Sequence, residues 1–242
     1  MSEFKFPTEE VELPSKGLIY SKDNPLSSGK VEMKYMTAKE EDILSNQNFI
    51  KKGNVLDKLL DSLIIDKKIN ANDLIVGDKN SLLIAARILG YGKDYEVTIR
   101  DESHTIDLST LENKDFDESK FEAGKNEFSY TLPSTGNMIT YKLITGHDEK
   151  QINKEVAGLK RLNKDASPEL STRLKHIILS VDGKEEKKDV RNFVDNYFLA
   201  RDSRAFRDHI KNTQPDVNLF YVLDNGEEAE VPIGLNFFWP DY

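Results

Sequence analysis

Cysteine is missing from this 242-residue chain, and its absence excludes disulfides, thiolate nucleophiles, iron–sulfur clusters and cysteine zinc sites together. Long apolar runs are missing too. The most apolar stretch, Leu82 to Leu89, is far shorter than the roughly 20 residues a membrane-spanning helix needs. The opening MSEFKFPTEE has no basic region followed by an apolar run, so neither a secretory signal nor a membrane segment is expected. Positive charge is in short supply: 34 Lys and Arg stand against 43 Asp and Glu, a net charge of -9. An acidic chain repels phosphate backbones unless its bases gather on one face, and no such gathering is visible, so nucleic acid is not an expected partner.

The residues that catalysis would need are equally sparse. His104, His147, His176 and His209 are scattered, none in a His-Glu-x-x-His arrangement, and each reads as a surface histidine. Glu102, His104 and Asp107 around a hairpin tip could close on a divalent ion, although a solvated polar turn is the simpler reading. Gly90-Tyr91-Gly92 follows a helix instead of introducing one, the wrong order for a dinucleotide site, and no Gly-Lys-Ser/Thr phosphate loop exists. Ser167, Ser171 and Ser180 lack a Gly-x-Ser-x-Gly elbow. No catalytic residue, metal, cofactor or small-molecule substrate is assigned, and the chain is not expected to be an enzyme.

What is present is a mixed pattern of periods. Pro7, Pro14, Gly17 and Pro25 break residues 4 to 36 into short extended pieces, so 1–36 is expected to be an extended N-terminal arm with a first strand at Val31, Met33 and Tyr35. Thr37 and Glu40 form a capping box for a helix over 38–46. Asn54 precedes an apolar stripe at Val55, Leu56, Leu59, Leu60, Leu63 and Ile64, and Asp78 caps a third helix that Gly90 would end. Alternation at Tyr95 to Ile99 and Thr105 to Leu108 completes a lobe over 37–111.

Residues 112–127 are dense in charge and poor in periodicity, which predicts a linker or surface loop and marks where a division into two lobes would fall. The stretch 128–242 then reads as an α+β lobe. It opens with a hairpin over Phe128–Leu132 and Ile139–Leu143, continues with helices capped near Thr145, Ser167 and Asp202, and closes with a hairpin about Asp224-Asn225-Gly226 and an aromatic tail. The expected class is α+β: helices with several β-hairpins and an extended arm. Arg201, Arg204 and Arg207 alternate with Asp202 and Asp208, as an exposed helix or a salt-bridge cluster would. A duplication of the two halves has no residue-level repeat behind it.

The apolar residues near the ends stand out. Phe237, Phe238 and Trp239 must either dock on their own domain or anchor a partner, since large aromatics dominate interface anchors. Phe4, Phe6, Val11 and Leu13 are too apolar for a solvated arm, and with the three C-terminal aromatics they are the candidate interface residues.

Several blocks, taken in order, carry a resemblance. They are Leu13-Pro14-Ser15-Lys16-Gly17 with Tyr20, Val31 to Lys34 leading into Thr37 to Leu44, Gly53 to Asp57, Leu74 to Asp78, Arg87-Ile88-Leu89-Gly90-Tyr91-Gly92, Arg201 to Arg207, and the closing Phe-Phe-Trp-Pro. Together they resemble the T-even-type bacteriophage baseplate hub proteins, over residues 11–100 and 190–242. Many members carry Cys-x-x-Cys pairs at hairpin tips, which this chain lacks near Asp101 and Asp224, so a structural zinc is not carried over. The resemblance implies a non-enzymatic structural or assembly protein of the phage tail, built in the host cytoplasm and residing in the virion's baseplate. Its partners would be other baseplate hub and tail proteins. A transient hub or tail assembly chaperone that leaves before the virion is complete is the alternative, and a hub-associated peptidoglycan hydrolase is a third reading from a different class.

Overall fold

Thr8 to Glu12 alternates exposed acids around Val11 and forms strand β1 (Thr8–Glu12), antiparallel to β2 (Lys30–Lys34) with Val11 opposite Val31. The computed structural model describes residues 7–99, 102–163, 165, 167–223, 226 and 228–239. The described part of the expected extended arm includes a strand of its own, β1, paired to β2. Leu13 N–H donates to the Gly29 carbonyl at 2.8 Å, and a 3-10 turn at Pro25–Ser28 is capped by the Asn24 side chain. Gly17 sits at φ +76 with its Cα against backbone, and a Cβ there would lie 2.6 Å from the Ser27 carbonyl oxygen. No other residue fits that turn without moving the chain.

Three helices follow: α1 (Ala38–Leu44), the short α2 (Gln47–Lys51) and α3 (Val55–Leu63). The Thr37–Glu40 box is present, with Thr37 N–H and Oγ1–H both donating to Glu40 Oε2. Helix α4 (Val76–Tyr91) starts two residues before Asp78 and runs through Gly90 to stop at Gly92. It contacts α3, and Leu59, Leu60, Leu63, Ile64, Leu82 and Leu83 are all buried, while Ile88 is half-buried. The expected hairpin is present as β3 (Asp94–Ile99) and β4 (Glu102–Asp107), but β4 begins three residues before Thr105 and ends before Leu108, which opens a 3-10 turn.

The chain then builds a second unit from residues 116–214 together with 18–21, before returning to the first unit at Pro215. Strands β5 (Phe128–Thr131), β6 (Met138–Tyr141) and β7 (Ile178–Val181) make an antiparallel sheet in the order β5-β6-β7. Its helices are α5 (Gly146–Leu162), α6 (Glu169–Ile177), α7 (Lys187–Asn196) and α8 (Ala200–Thr213). Phe206, fully buried, packs edge-on to Tyr141 at 5.1 Å and stacks near Tyr130 at 5.8 Å.

Residues 112–127 form a largely exposed loop within which the chain passes from the first unit to the second, between Asp115 and Phe116. Phe116, Phe121 and Phe128 stand 4.9 Å apart in sequence along one aromatic row, and Asn126 exchanges two hydrogen bonds of 2.8 Å with the Leu143 backbone. Glu112 and Asn113 instead pair with Asn218 and Val217 of the first unit. The stretch is low in periodicity because its two phenylalanines pack in a local row with Phe128 instead of lining one face of a helix or strand.

The closing residues also belong to the first unit, not to a lobe with residues 128–214. Strands β8 (Phe220–Val222) and β9 (Glu228–Glu230) pair with Tyr221 opposite Ala229, and Asp224 and Asn225 of the expected turn lie outside the described residues. At Gly77, in the first turn of α4, a Cβ would fall 2.0 Å from the Pro215 carbonyl oxygen, so the returning chain can lie there only against glycine. The class is α+β, and among the described residues no helix is long and apolar enough to cross a membrane.

Candidate functional site

Three of the five expected interface residues that lie among the described residues turn inward. Leu13 is 1% exposed, and Phe237 and Phe238 are fully buried, so these three are corrected to core residues of the first unit. The physical reason is local: Leu13 begins a turn whose backbone is locked to Gly29, and Phe237 packs 5.1 Å from Tyr95 and edge-on to Phe238 at 5.5 Å. Val11 is half-buried in β1. Trp239 alone among the C-terminal aromatics keeps a large exposed fraction, 36%. Phe4 and Phe6 lie outside the described residues.

The same residues expose a buried polar frame that the sequence patterns do not show. Ser15 N–H and Oγ–H donate to the two oxygens of Asp78 at 2.9 and 2.6 Å, joining the opening turn to α4. Arg87, 3% exposed on α4, donates from Nε to the Phe237 carbonyl at 3.2 Å and from a terminal nitrogen to the Gly92 carbonyl at 3.1 Å. Its guanidinium lies 5.1 and 5.9 Å from the Tyr91 and Tyr95 rings, a cation–π setting that partly replaces water. No carboxylate pairs with it among the described residues. Burial pulls its pKa down, and the two tyrosines oppose that shift.

Glu40 is another buried charge. Burial acts to raise its pKa, but hydrogen bonds from Lys34, Ser62 and Thr37 outweigh it and hold the carboxyl at about 2. Lys34 Nζ and Ser62 Oγ reach one oxygen at 2.7 Å each, and Thr37 holds the other. Every oxygen of this carboxylate is in use for joining β2, α1 and α3. It is placed to hold the first unit together, not to move protons.

The metal alternative at the hairpin separates by strand parity. Glu102 and His104 share a face, 4.0 Å apart, while Asp107 points the other way and binds Lys93 and Ser109. Among the described residues no group of three or more His, Cys, Asp or Glu side chains could hold a metal ion. Of the histidines, only His147 is fully at the surface. His176 meets Glu155 at 3.0 Å, and His209 meets the Tyr141 hydroxyl at 3.0 Å while stacking on Tyr130 at 4.2 Å. Burial, and to a smaller degree Lys120, lowers the His209 pKa. Ser180 is buried and shares a 2.6 Å hydrogen bond with Thr140.

The side chains open to a partner lie elsewhere: Met138, Leu162, Tyr197 and Leu199 in the second unit, each at least half exposed, and Val222 in the first. Composition could not reveal them, because a leucine at a helix end looks the same in sequence whether or not a neighbour covers it. Comparison with known protein families, with curated proteins and with solved structures gives no match for this chain.

Proposed function

We propose that this chain is a structural or assembly protein of the baseplate hub of a contractile-tailed bacteriophage, acting through protein–protein contacts and not through catalysis. One observation carries the reading. The blocks that resemble the hub family are tied to one another: Ser15 of the opening block to Asp78, and Arg87 of the Arg-Ile-Leu-Gly-Tyr-Gly block to Phe237 of the closing aromatics. Residues scattered across 150 positions for Arg87 and Phe237 alone thus serve one packed unit. That is how a family would share them if its common property were a scaffold. The exposed apolar side chains suit a protein that works by contact, since apolar surface of this kind marks interaction sites.

The partners in this reading are hub and tail proteins, met in the host cytoplasm during assembly and retained in the baseplate of the virion. The test is genetic. A nonsense mutation early in the gene should leave lysates with heads and free of complete baseplates by electron microscopy. Normal tails in that lysate would overturn the proposal.

A further inference from the structure

Two apolar clusters stay uncovered on the second unit, and they differ in charge. The first is the C-terminal end of α5, where every residue from 157 to 162 is exposed. Leu162 is 87% exposed, with Leu159 one turn back and Leu170 at the start of α6, across an ion pair between Lys160 and Glu169. Arg161, beside Leu162, has no ion-pair partner among the described residues. This exposed helix end, apolar at Leu162 and basic at Arg161, is the knob.

The second lies at the far end of the α6–β7 stretch. A hollow of about 310 Å³ is lined by Asp182, Lys184, Asp189, Phe193 and Tyr197, among others. Tyr197 is 62% exposed and forms an aromatic wall. Met138, whose N–H donates to Asp182 at 2.9 Å, and Leu199 add exposed apolar surface. Asp182 is held ionised by hydrogen bonds from Asn137 and Met138. Asp189 has no ion-pair partner among the described residues, so the two carboxylates outweigh Lys184.

We propose that knob and hollow are the two halves of one interface, and that the occupant of the hollow is the Arg161–Leu162 end of a second copy of this chain. The complementarity is chemical. A guanidinium entering the hollow gains a carboxylate at Asp189 and the face of Tyr197, while the leucines cover Met138 and Leu199. Because the two surfaces are different, the contact is heterologous and repeats from copy to copy, giving a closed ring or an open filament instead of a two-fold dimer. The inference rests on the second unit alone and holds or fails independently of the hub assignment.

The test is the solution mass of the intact protein by analytical ultracentrifugation over a concentration series. The wild type should exceed the 27.7 kDa monomer at its highest attainable concentration. R161E and L162E on the knob, and D189K and Y197A at the hollow, should each weaken association about tenfold or more. Leu162 and Tyr197 are mostly solvent-exposed, so L162E and Y197A keep the test valid if a charge reversal disturbs folding. Mixing L162E with Y197A should give one-to-one dimers and nothing larger, because each variant keeps one working half. A wild type that stays monomeric, oligomers that survive the substitutions, or a mixture that stays monomeric would each overturn the proposal; the first would leave a different protein as the occupant of these surfaces.

Discussion

Ser15 and Asp78 lie 63 residues apart in the chain and are joined by two hydrogen bonds, with both side chains fully buried. Removing the carboxylate would leave a buried N–H and a buried hydroxyl without their acceptor. Asp78→Ala should therefore cost about 3 kcal/mol of unfolding free energy, measured by urea titration. A loss below about 1 kcal/mol would mean that the opening turn is not held by α4.

Asp78 also shows where the sequence could be read and where it could not. Asp78 and Asp202 both look like helix caps, yet each lies three residues past the true cap, in the first turn of its helix, where a negative charge suits the helix dipole. Each then spends its carboxylate on distant backbone: Asp78 on Ser15, Asp202 on the N–H groups of Ser134 and Thr135 at 2.8 and 3.1 Å. A local pattern fixes the helix to within a turn and says nothing of the remote partner. Caps with local partners, at Thr37 and Thr145, were legible. Strand β7 was not, because its four residues follow α6 without a turn signal. One boundary between the units, at Asp115/Phe116, lies within the stretch 112–127 that the sequence singled out, but the return at Pro215 was hidden, since it depends on Gly77 meeting Pro215, a contact with no sequence signature. Of the candidate interface, Leu13, Phe237 and Phe238 point into the core, a direction that no local pattern reveals, while Trp239 stays exposed.

Stability should fall in acid through Glu40. Its folded pKa, about 2, is below the unfolded value of 4.5, so its contribution is present above pH 4.5 and is lost as the pH falls from there towards 2. The difference corresponds to about 3 kcal/mol. Glu40→Gln should lower stability at neutral pH and flatten the decline between pH 5 and 2 relative to wild type. An unchanged slope would show that other carboxylates carry the acid sensitivity.

Arg87 fastens the C-terminal segment. Arg87→Ala strips the Phe237 and Gly92 carbonyls of a donor and should cost about 1–3 kcal/mol, with hydrogen exchange rising first around residues 235–239. Unaltered exchange there would mean that ring packing of Phe237 and Phe238 suffices.

Deleting residues 1–12 removes β1 and uncovers Val31 and Met33, which are now buried. The midpoint of thermal unfolding should drop by several degrees, at roughly 2–4 °C per kcal/mol for a chain of this size. An unchanged midpoint would return the segment to the role of a detachable arm.

The central claim is that the protein is part of the hub. Quantitative mass spectrometry of purified virions, with the copy number of this chain set against that of a tail protein of known stoichiometry, tests it most directly. The account predicts a small fixed number of copies per particle. Absence from virions together with presence in tail assembly intermediates would make the protein a departing chaperone, and absence from both would contradict the assignment altogether.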